Sequence, residues 1–218
     1  MKRTGQSDRR VLALLALGAA SACASSGSGS PESEWTPLLT AERHADWEMT
    51  AFGGEGEIEA EDGLLVFEMG SPLTGLHWAG GELPRWDFEL EVSACRLAGT
   101  DFFCGLTFPV GESHATLILG GWGGALTGLS CIDGADASMN ETTAFIAYEQ
   151  GREVTARVRV TRRRITTWLD GELLHEVELA GKTIDLRPEV LLSRPLGVAA
   201  FQTRAGLRAL RMRRVGER

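Results

Sequence analysis

The sequence predicts an all-β domain in which two antiparallel sheets pack together as a sandwich or jelly roll. Apolar and polar residues alternate along many short segments, and this alternation is the period of a β-strand. Gly, Pro and Asp-Gly pairs interrupt these segments at short intervals. No long stretch has helical periodicity. So many strands can bury their apolar faces only if two sheets pack against each other.

Most of the predicted strands follow one another in pairs that are joined by turn residues. The clearest single strand is 154–160, where valine and alanine alternate with threonine and arginine. Asp62-Gly63 and Asp170-Gly171 mark two hairpin turns. The other alternating segments are, in chain order, 56–60 with 64–69, 86–96 with 101–110, 115–119 with 128–132, 165–169 with 173–179, and then 196–202 and 207–215.

Length and composition are those of one ordinary globular domain. The chain has 218 residues, of which 43% are hydrophobic and 24% are charged. Its formal net charge is −8, and the first 22 residues carry four of the basic side chains but only one acidic side chain. Without them the protein is more acidic still, and such a surface repels phosphate backbones. We therefore expect no nucleic-acid partner.

The N-terminus has the pattern of an export signal. Basic residues precede the apolar run 11–17, which is too short to span a bilayer as a helix. Small residues and then Cys23 follow, and Ala20-Ser21-Ala22-Cys23 resembles the lipobox of bacterial lipoproteins. We expect 1–22 to be a signal peptide and Cys23 to be lipidated, which would anchor the protein to a membrane of the bacterial cell envelope. The alternative is plain secretion after cleavage behind Ala22.

A tether and a single domain follow the predicted lipidation site. Residues 23–33 are rich in Ser and Gly and too polar to pack, so we predict a flexible linker there. The folded domain is then expected over 34–218.

The cysteines allow one disulfide if the compartment is oxidising. Cys95 and Cys104 lie on two predicted strands around a turn near Gly99, so their side chains could face each other across a hairpin. Cys131 would then remain free. The alternative is that all three are reduced and buried as small apolar side chains.

The most unusual stretch is 119–125, where Trp122 stands between two glycine pairs. Glycine weakens a strand unless the backbone must bend or another group must approach closely. A tryptophan on such bare backbone offers a flat apolar surface with an N–H donor, which suits a sugar ring. The alternative is a bulge or corner of the sheet with the indole in the core.

The order of several segments resembles the 3-keto-disaccharide hydrolase family. The resemblance covers 35–215 and rests on Trp35-Thr36-Pro37-Leu38-Leu39, Asp62-Gly63-Leu64, the strand 87–92, Pro195-Leu196-Gly197-Val198-Ala199 and the strand 207–211. It implies a concanavalin A-like jelly roll, export or lipid anchoring, and activity on sugars oxidised at carbon 3. It is a match of framework and not of a catalytic motif. Many members have a His-Glu pair where this chain reads His114-Ala115, so the glutamate of that pair is missing.

The loop 131–142 gathers carboxylates and an amide directly after the Trp122 segment. Asp133 and Glu141 could act as general acid and base on a sugar. Alternatively, Asp133, Asp136 and Asn140 could supply oxygen ligands to a divalent cation such as calcium, although the spacing is not that of an EF-hand. A solvated turn, in which Asp and Asn bind local backbone, is also open.

Glu89 and Glu91 project from one side of the strand 86–96. If that side forms the ligand groove, they become candidates for sugar binding or acid–base chemistry. The alternative is an exposed polar face of the sheet.

These features combine into one hypothesis and one main alternative. The hypothesis is an envelope-anchored carbohydrate-active protein that cleaves 3-keto-glycosides, with Glu141 or Glu91 as base and Asp133 assisting. Trp122 would stack on the sugar ring, and His114, Glu89 and Asn140 would contact its hydroxyls. The alternative is a noncatalytic carbohydrate-binding or cell-surface interaction module on the same fold.

Overall fold

A computed structural model describes residues 33–216, and within them the chain is an all-β sandwich of two antiparallel sheets. The predicted all-β jelly-roll architecture is confirmed. The strands are β1 (Thr36–Thr40), β2 (Trp47–Met49), β3 (Ile58–Glu61), β4 (Leu64–Phe67), β5 (Leu73–Trp78), β6 (Phe88–Gly99), β7 (Cys104–Val110), β8 (Ser113–Gly121), β9 (Leu126–Ser130), β10 (Ala144–Phe145), β11 (Val154–Val160), β12 (Arg164–Leu169), β13 (Glu172–Glu178), β14 (Gly197–Phe201) and β15 (Thr203–Arg214). A 3-10 helix, Pro188–Ser193, precedes β14.

The two sheets differ in size and in strand order. One has eight strands in the order β13-β12-β11-β6-β15-β4-β3, with β1 also paired to β15. The other has seven strands in the order β10-β9-β8-β7-β14-β5-β2. Four predicted features reappear: the hairpins β3–β4, β8–β9 and β12–β13, and the half-buried strand β11.

The core lies between the sheets because each strand turns alternate side chains inward. Phe88, Leu90 and Val92 of β6 are fully buried, and so are Leu106 and Phe108 of β7 in the facing sheet. This packing removes the largest apolar side chains from water and provides most of the driving force for folding.

A second, smaller apolar cluster covers part of the outer face of the seven-stranded sheet. It includes Phe102, Ile118 and Phe201, together with Ala137 from the loop after β9. The 3-10 helix contacts β5 and β14 of the same sheet. Loops therefore lie over this face and leave room for a cavity between them.

The predicted disulfide is corrected by the strand pairing. β6 pairs with β11 and β15, whereas β7 pairs with β8 and β14, so the two strands lie in different sheets and form no hairpin. Cys104 belongs to the core between the sheets, while Cys95 lies one residue out of step with the core residues Val92 and Ala94. Both thiols are free and buried, and Cys131 is also free.

The N-terminal predictions lie outside the described residues. The signal peptide 1–22, the lipidation site Cys23 and all of the linker 23–33 except Ser33 belong to this part of the chain. Between residues 33 and 216, no helix has the length and apolar character needed to cross a membrane.

Candidate functional site

Trp122 is displayed at the turn between β8 and β9. Its indole is 43% exposed, so it lies outside the core. The backbone has positive φ at Trp122 (47°) and at its neighbours Gly120 (76°), Gly123 (90°) and Gly124 (106°). Glycine adopts this left-handed conformation without the steric cost that a Cβ would add. The glycines therefore allow a tight turn that carries the indole at its tip.

Trp122 forms part of a cavity of about 170 Å³ on the outer face of the seven-stranded sheet. The floor comes from β8 and β9, through Thr116, Ile118 and Ser130. The rest of the lining is apolar except for three charged side chains, and its remaining members are Asp101, Phe102, Arg187, Glu189, Val190 and Phe201. An apolar cavity with a few fixed polar groups is typical of a small-molecule site.

Arg187 is fixed beside the indole. Its guanidinium carbon lies 5.8 Å from the centre of the Trp122 ring. It donates to Asp136 at 2.6 Å and to Glu189 at 2.6 Å. The hydrogen bond to Glu189, followed by the charges of Glu189 and Asp136, raises the pKa of Arg187. A permanent cation is therefore held at the edge of the aromatic surface, where cation–π attraction also favours it.

The predicted acidic loop 131–142 is present in the structure, but its side chains mainly stabilise the loop itself through hydrogen bonds and ion pairs. The Asn140 amide nitrogen donates to the carbonyls of Leu129, Ala135 and Asp136. Its amide oxygen accepts hydrogen bonds from the Thr142 backbone N–H and hydroxyl. Both ends of the amide are thus occupied, and the structure does not bring Asn140 into the Trp122 cavity.

Asp136 affects the cavity indirectly, because it holds Arg187 in place. Burial raises the pKa of Asp136, but the hydrogen bonds from Ser138 and the charge of Arg187 outweigh this effect, so the net pKa is lowered. The carboxylate accepts from the Ser138 backbone N–H and hydroxyl and from Arg187. It therefore remains charged and holds the arginine in place.

Asp133 and Glu141 meet at Lys182 and not at the Trp122 cavity. The Lys182 ammonium lies 2.5 Å from the Glu141 carboxylate and 3.8 Å from that of Asp133. Asp133 also accepts from the Thr183 backbone N–H. These contacts join the loop after β9 to the segment before the 3-10 helix, and the structure does not bring the two carboxylates to the sugar site that the sequence predicted for them.

The donor set does not fit the predicted calcium ion. Asp133 and Asp136 already face Lys182 and Arg187, and the Asn140 oxygen accepts from Thr142. Within residues 33–216, no three His, Cys, Asp or Glu side chains gather in a way that could hold a metal ion. Calcium requires six to eight oxygen ligands, and these side chains are directed to other partners.

His114 lies on β8, two residues from Thr116 and on the same side of the strand. Burial, followed by the charges of Arg194 and Arg85, lowers its pKa. His114 therefore lies next to a residue of the cavity floor on β8, although it is not part of the lining.

Glu89 and Glu91 lie on the opposite side of the sandwich, on the outer face of the eight-stranded sheet. Glu89 is fully buried between Arg159 and Arg213, at 2.6 Å from each. Glu91 binds Arg211. The condition for their proposed sugar-binding or acid–base role fails, because the cavity is on the other sheet.

Sequence reasoning missed four residues that build the site. Asp101, Arg187 and Glu189 are far from Trp122 in the chain, and no local pattern marked them. The fourth is Arg96, which follows the inward positions 88, 90, 92 and 94 of β6 and donates to the Gly120 and Gly124 carbonyls. An arginine in phase with core residues was a signal that the alternation could have provided.

Comparison with known proteins shows the fold. No protein-family model matches the chain, and no curated protein matches it. Among solved structures, a Bacillus subtilis protein of unknown function with a galectin-like fold is 11% identical, with a TM-score of 0.60, over 87% of this chain and 99% of that chain.

Two further solved structures have names that refer to carbohydrates. The Emp46p carbohydrate recognition domain is 10% identical, with a TM-score of 0.58, over 82% of this chain and 97% of that chain. The Crh5 transglycosylase in complex with NAG is 10% identical, with a TM-score of 0.57, over 85% of this chain and 88% of that chain. At such low identity these likenesses establish architecture alone. The chain therefore has a galectin-like, concanavalin A-like jelly-roll fold.

Proposed function

We propose that this protein binds a carbohydrate in the Trp122 cavity. The observation that carries the proposal is the exposed indole on its glycine turn, with Arg187 fixed 5.8 Å from the ring centre. An aromatic surface can stack on the apolar face of a sugar ring, while Arg187 donates to hydroxyls and Glu189 and Asp101 accept from them. The carbohydrate-related names of the Emp46p and Crh5 structures support this reading.

The size of the cavity limits how much of the ligand it encloses. The volume of the cavity is about 170 Å³. Drug-sized ligands usually occupy pockets of about 300–1,000 Å³. We therefore expect one sugar ring to enter the cavity and the rest of any longer glycan to remain outside it.

A glycan array followed by tryptophan fluorescence titration tests the proposal. We expect Trp122→Ala to weaken binding at least tenfold and to remove the ligand-induced fluorescence change. Trp35→Ala is the matched control, because Trp35 stacks on arginines of the opposite face. Equal affinity in the two variants, or no glycan bound by the wild type, would contradict the proposal.

The same titration in calcium and in a chelator addresses the predicted cation. The Emp46p domain was also solved in what is described as a metal-free form. Because the donor set of this chain does not fit calcium, we expect the dissociation constant to be the same in both buffers. A loss of affinity on chelation would show that the acidic loop rearranges around a metal ion.

A second candidate function is hydrolysis of 3-keto-glycosides, which the family resemblance implies. The observation that favours it is that the Asp101 and Glu189 carboxylates line the same cavity as Trp122. A carbonyl at carbon 3 acidifies the proton on carbon 2. One carboxylate could remove this proton while the aglycone oxygen leaves carbon 1 with a proton from the other acid, and water could then add across the new double bond. Arg187 could polarise the carbonyl. In this mechanism Asp101 and Glu189 take the roles that the sequence suggested for Glu141, Glu91 and Asp133.

Release of the aglycone from a panel of 3-keto-glucosides separates the two functions. If the protein is an enzyme, we expect Asp101→Asn and Glu189→Gln each to lower turnover about a hundredfold or more. Glu141→Gln is the control, since Glu141 pairs with Lys182 outside the cavity. If the wild type binds a glycan but releases the aglycone from no keto-glycoside, the result supports the binding function and contradicts the hydrolase function.

A further inference from the structure

A single buried arginine from the opposite sheet connects two parts of the Trp122 cavity. Arg96 lies towards the end of β6 and is only 8% exposed. Its Nη2 atom donates to the carbonyl oxygens of Gly124 at 2.7 Å, Gly120 at 3.0 Å and Asp101 at 3.2 Å. The two glycine carbonyls bracket Trp122, and Asp101 is part of the cavity lining. The turn and the Asp101 segment are therefore held by one guanidinium group.

The glycines near Trp122 differ in how closely an added Cβ would approach Arg96. A Cβ on Gly120 would lie 2.3 Å from Arg96 Nη2, whereas one on Gly124 would lie 3.2 Å from the Thr100 carbonyl oxygen and 3.4 Å from both terminal nitrogens of Arg96. Gly123 has nothing within 4 Å of its Cβ position. Gly120 thus leaves space for the arginine, whereas the positive φ of the turn is what requires glycine at 123 and 124.

The buried charge of Arg96 is stabilised by the dipoles of backbone carbonyls and by an aromatic ring. Among the described residues it has no ion pair with a carboxylate, and its guanidinium carbon lies 5.3 Å from the centre of the Phe103 ring. Burial lowers its pKa, while the charge of Asp101 acts in the opposite direction. A buried cation is costly unless its N–H groups are satisfied. Because the buried Nε of Arg96 has no hydrogen-bond partner among the described residues, the guanidinium depends on the three carbonyls that Nη2 contacts.

We propose that Arg96 is the positioning residue of the carbohydrate site, which fixes Trp122 relative to Asp101 and thereby sets the affinity for the sugar. This inference rests on the proposed binding function. Arg96 touches no ligand, because its guanidinium is buried beneath the turn and acts through backbone carbonyls. All three hydrogen bonds come from Nη2. A lysine ammonium also has three N–H donors, but it ends one bond nearer the backbone and is more flexible, so it would hold these carbonyls less well.

Fluorine NMR of protein labelled with 5-fluorotryptophan tests the positioning directly. The Trp122 resonance is assigned from its loss in Trp122→Phe. We expect Arg96→Met to move this resonance and to weaken glycan binding at least tenfold, with Arg96→Lys intermediate in both measurements. The control is Arg157→Met, which removes a partly buried arginine whose guanidinium carbon lies 4.4 Å from the centre of the Trp168 ring on the far face. It should move the Trp168 resonance and leave the dissociation constant within about twofold.

The outcomes separate this inference from the proposed function. An unmoved Trp122 resonance in Arg96→Met, or a loss of affinity no greater than in Arg157→Met, overturns the positioning role. If the wild type binds no glycan, the proposed function fails, and the fluorine resonance alone then decides whether Arg96 positions Trp122. If Arg96→Met does not fold, Arg96→Lys is judged by the same two measurements.

Discussion

Gly120 and Gly123 both flank Trp122 with positive φ, yet their surroundings differ. At Gly120 a Cβ would lie within 2.3 Å of Arg96, while at Gly123 it would meet nothing within 4 Å. A left-handed conformation costs a residue with a Cβ about 1–2 kcal/mol. Overlap in a packed site adds about 1–3 kcal/mol. The cost of the left-handed backbone applies to both glycines, whereas the cost of overlap applies only to Gly120.

We therefore predict that Gly120→Ala lowers the free energy of unfolding by about 2–5 kcal/mol and Gly123→Ala by about 1–2 kcal/mol. Urea titration followed by circular dichroism measures both. Equal losses in the two variants would mean that the turn moves away from Arg96 at little cost.

Glu141 gives a prediction about pH. The hydrogen bond from Lys182 is the main cause that lowers the pKa of Glu141 below its ordinary value of 4.5. The unfolded chain then binds the proton more readily, so the contribution to stability is complete above pH 4.5 and is lost as the pH falls through the folded pKa. Both side chains of the pair are partly exposed, and such solvent-screened pairs contribute little.

We expect Glu141→Gln to lower the midpoint of urea unfolding slightly at pH 7 and to have no effect at the acidic end of the titration. Glu149→Gln is the control, because Glu149 is exposed and forms no ion pair within residues 33–216. A difference for Glu141→Gln that grew on acidification would contradict the assigned direction of the shift.

Among the strands, β6 and β7 were predicted correctly as strands, but their pairing was not. Consecutive strands are usually neighbours in space, and this tendency predicted a hairpin between them. The structure instead sends the chain from one sheet to the other after Gly99. Alternation identifies a strand and the face that it buries, but it carries no information on which strand becomes its partner. The strands were therefore predictable, whereas their pairing and the disulfide were not.

The corrected pairing predicts a thiol count. Burial raises the pKa of Cys104 to about 12 and also raises that of Cys95, and a buried thiol with a raised pKa reacts slowly. In a Cys23→Ser protein we expect Ellman's reagent to modify one cysteine, Cys131, in the native state and three after denaturation. A native count of one that did not rise after denaturation without reductant would reveal the disulfide after all.

The outer face of the eight-stranded sheet predicts a contrast between two neighbouring glutamates. Glu89 is fully buried between Arg159 and Arg213, whereas the side chain of Glu91 is 17% exposed and pairs with Arg211. Removing one partner of a buried ion group costs about 3–5 kcal/mol, because the remaining charges stay desolvated. A more exposed pair is worth about 1 kcal/mol or less.

We expect Glu89→Gln to lower the free energy of unfolding by about 3–5 kcal/mol and Glu91→Gln by about 1 kcal/mol. Urea unfolding distinguishes them. Glycan affinity in Glu91→Gln should equal that of the wild type, since the proposed site lies on the other sheet. A selective loss of affinity in Glu91→Gln would restore the role that the sequence first suggested.

Considered as a whole, the molecule brings distant segments together at one cavity. The local pattern was sufficient for Trp122, because the paired glycines mark an unusual turn within a few residues. Asp101 precedes β7, while Arg187 and Glu189 belong to the chain before β14, so only the packing of loops onto one sheet makes them neighbours. The chemistry of the site thus depended on tertiary structure, whereas its aromatic surface did not.

The last prediction concerns the attachment of the whole domain to a membrane. We propose that Cys23 is lipidated and that residues 24–33 connect it to the domain; fully extended, these residues would reach at most about 35 Å. The cavity would then work close to an envelope membrane. In a bacterial host, we expect wild-type protein to incorporate labelled palmitate and to sediment with membranes. Cys23→Ala should abolish both, and Cys131→Ala should abolish neither. Equal partition of wild type and Cys23→Ala into the soluble fraction would favour plain secretion after Ala22, because lipidation of Cys23 is the difference between the two outcomes.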